Sequence, residues 1–201
     1  MSKKRGADLV YQFKISLQGV RPPIWRRIQI LGDCTFWDLH VAIQDAMGWE
    51  MEHLHAFNLP SLGRDTDIGV PEEEEGSFGA FLDGVWGRRT LPGWKVRVAD
   101  YLNLNQPVAF YTYDFGDDWV HKLKLEKILP REEGPYPRCL AGKRACPPED
   151  CGGVGGYAAL VAGEYEEGEE LFGTFDPEAF DPNGVSFNDP AAMLQFVLAE
   201  R

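Results

Sequence analysis

The sequence contains no run of about 18 apolar residues, the length a helix needs to cross a bilayer, so a membrane-spanning helix is excluded. No apolar stretch follows the charged residues 1–5. A secretory leader is therefore not expected, and a cytoplasmic location is. Positive charge is scarce: 20 Lys and Arg stand against 32 Asp and Glu, a formal net charge of −12. Nonspecific nucleic-acid binding works by neutralising phosphates, and this balance opposes it. Cysteine is scarce as well, at four residues. With no leader, a disulfide framework is not expected. What the chain does have is apolar mass, 44% hydrophobic and 12% aromatic, which suits a buried core and argues against general disorder. Its 201 residues show no repeat, low-complexity tail or linker. The expectation is one domain over 1–201, with its core at about 10–198.

The hydrophobic pattern gives the fold class. Tyr11, Phe13, Ile15 and Leu17 alternate with Gln12, Lys14 and Ser16, the pattern of a half-buried strand. Residues 24–30 alternate again after the breaker at 19–23, which predicts an antiparallel hairpin. Thr35 and Asp38 form a capping box ahead of Phe36, Leu39, Ile43 and Met47 at helical spacing, and Gly48 is the stop. A short strand is expected at 53–59. Strand, strand, helix, strand is a β-grasp-like start. Residues 60–93 read as a long loop holding the acidic run Glu72 to Glu75, with a short element around 78–86. Strands are expected at 96–102, 108–114 and 119–128, the last two joined by the turn at 114–118. Residues 130–156, rich in Pro, Gly and Cys, read as irregular. Helices are expected at 157–171, after Asp176-Pro177, and at 191–200. The fold class is α+β: a mainly antiparallel sheet, a helix packed after the first hairpin, and C-terminal helices.

Three of the four cysteines cluster as C-x6-C-x4-C at Cys139, Cys146 and Cys151. Zinc takes about four soft or imidazole ligands, which an irregular loop can supply. His121, or else His53 or His55, is the candidate fourth ligand; the plain alternative is thiols that pin a loop by packing. Residues 53 and 55 share a face if both lie in a strand. Asp114, Asp117 and Asp118 suit a hard cation or acid–base work, and equally a turn. Glu149 and Asp150, between two cysteines, carry the same two readings. Gly152 to Gly156 before a helix suits phosphate or a flexible turn, and the acids at 164–170 oppose phosphate. Seven basic groups and one acid give residues 1–30 a charge of +6, leaving −18 for the rest. Within that set Arg26 and Arg27 flank a strand with Trp25 as aromatic neighbour, as in some single-strand binders. Arg26, on the buried parity of its strand, is expected to pair with an acid. Cys34, at a helix start with no partner in sequence, is expected to be inert.

Six segments taken together resemble one family. They are Pro22-Pro-Ile-Trp-Arg-Arg27, the helix from Thr35 through Trp49, His53-Leu-His-Ala-Phe57, Tyr113-Asp-Phe-Gly-Asp-Asp-Trp-Val-His121, Cys139 through the Cys-Pro-Pro-Glu-Asp-Cys run to Gly153, and Phe175-Asp-Pro-Glu-Ala-Phe180. The resemblance is to the Ri-plasmid open-reading-frame-three-like (pRiA4b type) family, whose relatives are also labelled insertion-element passenger, TnpR-like, proteins. It implies a single α+β domain and no particular reaction. The chain shows no serine-recombinase signature and no helix-turn-helix. Three functional readings stand. The first is a non-enzymatic accessory module of mobile-element type that contacts a protein partner. The second is a zinc protein, enzymatic or structural, using Cys139, Cys146, Cys151 and His121. The third is a nucleic-acid binder using the basic N-terminal segment.

Overall fold

The computed structural model describes residues 6–71, 89–164 and 175–199. Its strands are β1 (Leu9–Leu17), β2 (Trp25–Leu31), β3 (His55–Asn58), β4 (Thr66–Gly69), β5 (Arg89–Pro92), β6 (Val108–Tyr113), β7 (Trp119–Pro130) and β8 (Arg138–Lys143). Its helices are α1 (Phe36–Met47), α2 (Gly153–Ala162) and α3 (Pro190–Ala199). The strands form one eight-stranded sheet in the order β5-β4-β3-β6-β7-β1-β2-β8. Neighbours run antiparallel throughout, except for the parallel β4–β5 pair. The α+β expectation holds, and after α1 the chain returns at β3, separated from β1 by β6 and β7.

The helix forms where the caps predict. Thr35 Oγ1 accepts from Asp38 N at 3.2 Å, and Asp38 Oδ2 accepts from Thr35 N at 2.7 Å. Gly48 ends the helix at φ 101°, in the left-handed region that glycine adopts without strain. The helix buries Phe36, Leu39 and Ile43 with Ile15, Ile28, Phe57 and Leu123 of the sheet. Its other side is strapped by the C-terminal segment. Trp37 Nε1 donates to Pro190 O at 2.8 Å, and Asp45 accepts from the backbone and side chain of Asn188.

Several sequence expectations change. Residues 96–102 make no strand, because their backbone is used by the α1 entry loop: Phe36 N donates to Val96 O and Val98 N to Cys34 O. The loop at 60–93 contains β4 and β5, too short to show alternation, and Glu72 to Glu75 with residues 78–86 lie outside the described residues. The 130–156 stretch contains β8, an edge strand paired with β2 and broken by an irregularity opposite Arg27 and Ile28. The helix expected from 157 starts at Gly153, and the acids at 165–171 lie outside the described residues. After Asp176 there is only a turn; the Asp189–Pro190 cap does start a helix, with Asp189 Oδ1 accepting from Ala191 N at 3.0 Å.

Three histidines lie inside this core. His40 and His55 stack with centroids 3.5 Å apart, and His40 Nδ1 lies 2.9 Å from the Tyr111 hydroxyl. Burial holds His55 at about 3 and His121 at about 4; burial, and then His55, hold His40 well below the usual value. Neutral rings in the fold take up protons on unfolding near pH 6.5, so their contribution is complete above that pH and lost as pH falls towards 4. Each buried ring removes up to about 1.4 kcal/mol per pH unit below 6.5. Urea midpoints are expected to be flat from pH 8 to 7 and to fall steeply from pH 6.5 to 5. Glu126, held at about 2 by Arg27, does not contribute in that window. Midpoints unchanged down to pH 5 would contradict neutral burial.

Candidate metal centre

Three loops meet at one end of the sheet: residues 49–54 leading into β3, the β6–β7 turn at 114–118, and the segment 147–152 leading into α2. The Glu149 carboxylate and the Tyr113 hydroxyl join them. Glu149 Oε1 accepts from Glu50 N at 3.0 Å and from the Tyr113 hydroxyl at 2.9 Å. That hydroxyl in turn accepts from Glu52 N at 3.1 Å. Trp49 Nε1 donates to Pro147 O at 2.9 Å. Burial, with Glu52 adding to it, raises the Glu149 carboxyl above its ordinary range, and burial first and then Glu149 raise the Tyr113 hydroxyl.

The turn is locked to α2 by glycine. Gly152 N donates to Asp117 Oδ2 at 3.1 Å. A Cβ on Gly153, at φ 66°, would fall 2.6 Å from Asp117 O, so no other residue fits without moving the turn. Gly153 thus serves packing, whereas a Cβ on Gly155 would meet open space. Four non-glycine residues at this meeting point also have left-handed backbone: Met51 at φ 61°, Asp114 at 52°, Asp118 at 54° and Asp150 at 54°. Such conformations persist where surrounding contacts over-determine them, often at functional sites.

This architecture sets Glu52, His53 and Asp150 side by side, with one ligand atom from each within 4.8 Å of the others. His53 Nε2 lies 3.0 Å from Asp150 Oδ1 and 3.9 Å from Asp114 Oδ2. The Asp150 contact is not aligned as a hydrogen bond, so the shielded Nε2 has no directional partner. An imidazole nitrogen among carboxylates is a donor set for a borderline or hard divalent ion. Glu52 and Asp150 are exposed, which leaves a side open to water or an incoming ligand.

The zinc set expected from sequence is arranged differently. Among the described residues, the Glu52–His53–Asp150 group is the one that meets this three-ligand spacing, and Cys139, Cys146, Cys151 and His121 do not form another. All four cysteines are free thiols. Cys139, Cys146 and His121 instead lie within electrostatic reach of one buried cation, Arg26. Arg26 is 1% exposed and, among the described residues, has no carboxylate partner, where the sequence led us to expect one. Nε donates to Ala46 O at 2.7 Å, Nη1 donates to Trp25 O at 3.0 Å and Lys143 O at 3.1 Å, and Cζ stacks 3.6 Å over the Phe180 ring. Burial raises the Cys139 and Cys146 thiols and pushes Cys151 up to about 12, so this neighbourhood favours protonated thiols. Cys34 is likewise buried and raised by burial, in line with the inert reading. His121 is a core ring, its Nδ1 2.9 Å from Trp119 O. His53 and His55 part company because β3 begins at His55: one faces the carboxylates, the other stacks on His40.

An eight-stranded, mainly antiparallel sheet with one helix packed early, and an acid–histidine cluster where three loops meet, defines an α+β domain with a candidate cation site. The comparisons give its family. Residues 9–184 match the plasmid pRiA4b ORF-3-like protein family, and the chain belongs to it. The uncharacterized protein y4hQ of Sinorhizobium fredii is 33% identical over 149 residues, spanning 74% of this chain and 69% of that one. The crystal structure of a protein of unknown function, MM3350 from Methanosarcina mazei Go1, is similar with a TM-score of 0.77 and 45% identity, over 89% of this chain and 97% of that one.

Arg26 supplies a direct test of this geometry. Arg26→Met removes the donor from the carbonyls of Ala46, Trp25 and Lys143 and is expected to destabilise the fold by roughly 3–5 kcal/mol in urea unfolding. A loss below about 1 kcal/mol would show that the guanidinium is not an organising contact.

Proposed function

We propose that this chain is a divalent-cation-binding protein, with Glu52, His53 and Asp150 as ligands and Asp114 beside them. The supporting observation is the shielded His53 Nε2, 3.0 Å from Asp150 Oδ1 yet without an aligned partner, inside a three-ligand group that is open on one side. An ion seated there keeps free coordination positions, which suits binding or activating an oxygen ligand. The accessory reading, contact with a protein partner, draws support from a separate feature. Helix α3 buries no residue fully and exposes Phe196 and Leu198.

Calorimetric titration of the full chain with MnCl2 and with ZnCl2 tests the cation site. One ion per chain is expected, weakened about 100-fold, near 2.7 kcal/mol, by His53→Ala or Asp150→Asn. Cys139→Ser is expected to bind as wild type. Loss of binding in Cys139→Ser, with His53→Ala unaffected, would return the site to the cysteines.

A further inference from the structure

The charge of this protein is segregated. Strands β6, β7, β1, β2 and β8 are contiguous in the sheet and carry eight basic residues and one acid, Glu126, on a chain whose net charge is −12. Register places five of the eight basic residues in two neighbouring rows on the face opposite the buried Ile15, Leu123 and Ala109. One row runs Phe110, Lys122, Ser16, Trp25, Lys143; the next runs Val108, Lys124, Lys14, Arg27. Glu126 is committed to Arg27 through bonds of 2.7 and 3.0 Å. Among the described residues no ion pair reaches Lys14, Lys122, Lys124 or Lys143. Lys14 sits directly opposite both Lys124 and Arg27, and like charges so placed destabilise a sheet. An occupant with negative charge relieves that repulsion.

Two rings lie among these cations. Phe110 is 37% exposed, and Trp25 is half-buried with Lys14 Nζ 5.1 Å and Arg27 Cζ 5.3 Å from its ring centroid. Three strand spacings separate the two rings, about 14 Å across the face. Cations alone suit any polyanion; cations interleaved with exposed rings on an open sheet suit unstacked bases on a phosphate backbone. We propose that this sheet face binds single-stranded nucleic acid, with Lys14, Lys122, Lys124 and Lys143 on phosphates and Phe110 and Trp25 against bases. Of the N-terminal basic set, Lys14 and Arg27 belong to this face, whereas Arg26 is buried in the core. The face does not depend on the cation site.

Fluorescence anisotropy of a labelled 12-nucleotide oligo(dT) or oligo(U) with the full chain tests this. Binding is expected at 50 mM salt, with log affinity falling linearly in log salt. The variant Lys14→Gln/Lys122→Gln/Lys124→Gln is expected to make that slope shallower by about 2 and to weaken binding more than about tenfold. Phe110→Ala, an exposed position, is expected to weaken binding about tenfold while leaving the slope unchanged. Circular dichroism confirms that both variants are folded. No binding at 50 mM salt would overturn the proposal. So would unchanged binding by the triple variant, which would move the contact to Lys3, Lys4 and Arg5. Equal competition by duplex DNA or by polyglutamate would overturn it too, the latter assigning the face to acidic protein segments.

Discussion

A guanidinium with no counter-ion among the described residues sits inside this protein, and four separate parts of the chain are arranged around it. Arg26 reaches from β2 to the last turn of α1 at Ala46, to β8 at Lys143, and to the ring of Phe180 beyond α2. Taking a charge out of water is costly, and carbonyl dipoles can offset that cost only if held in place. The C-terminal turn of α1 carries no basic residue of its own and presents the negative end of its dipole, so a cation from the neighbouring strand complements it. Strand β8 follows the same logic: an edge segment of weak strand character is held against β2 by register and by the Lys143 carbonyl.

That arrangement also explains the cysteine loop. The buried Arg26 charge lies within electrostatic reach of Cys139, Cys146 and His121, so a metal bound by them would have a cation for a neighbour. Two cations within a few ångströms repel strongly in a medium of low polarity. The carboxylates lie elsewhere, at the loop ends, where Glu149 and Tyr113 hold three segments together while Glu52 and Asp150 are exposed on either side of the shielded His53 Nε2. Sheet and loops thus carry opposite charge, and the two surfaces suit different ligands.

The elements legible in the sequence are those whose signal is local. The alternation of Tyr11 to Leu17, the Thr35–Asp38 box and the turn at 114–118 depend on neighbours in the chain, and all form as their chemistry dictates. Strands β4, β5 and β8 were not legible, because four- and six-residue strands without alternation owe their existence to a partner far along the chain. The site shows the same division. His53, Asp114, Glu149 and Asp150 stood out as chemistry-bearing residues one at a time, whereas Glu52 and Tyr113 had no signal of their own. Clustering in sequence drew attention to the cysteines; convergence in space belongs to residues about a hundred positions apart.

A manganese soak of crystals of this protein, read by anomalous diffraction, tests the central claim most directly. A single anomalous peak among His53 Nε2, Asp150 and Glu52 is the predicted result. A peak within the loop of Cys139, Cys146 and Cys151, with Arg26 displaced, would contradict it.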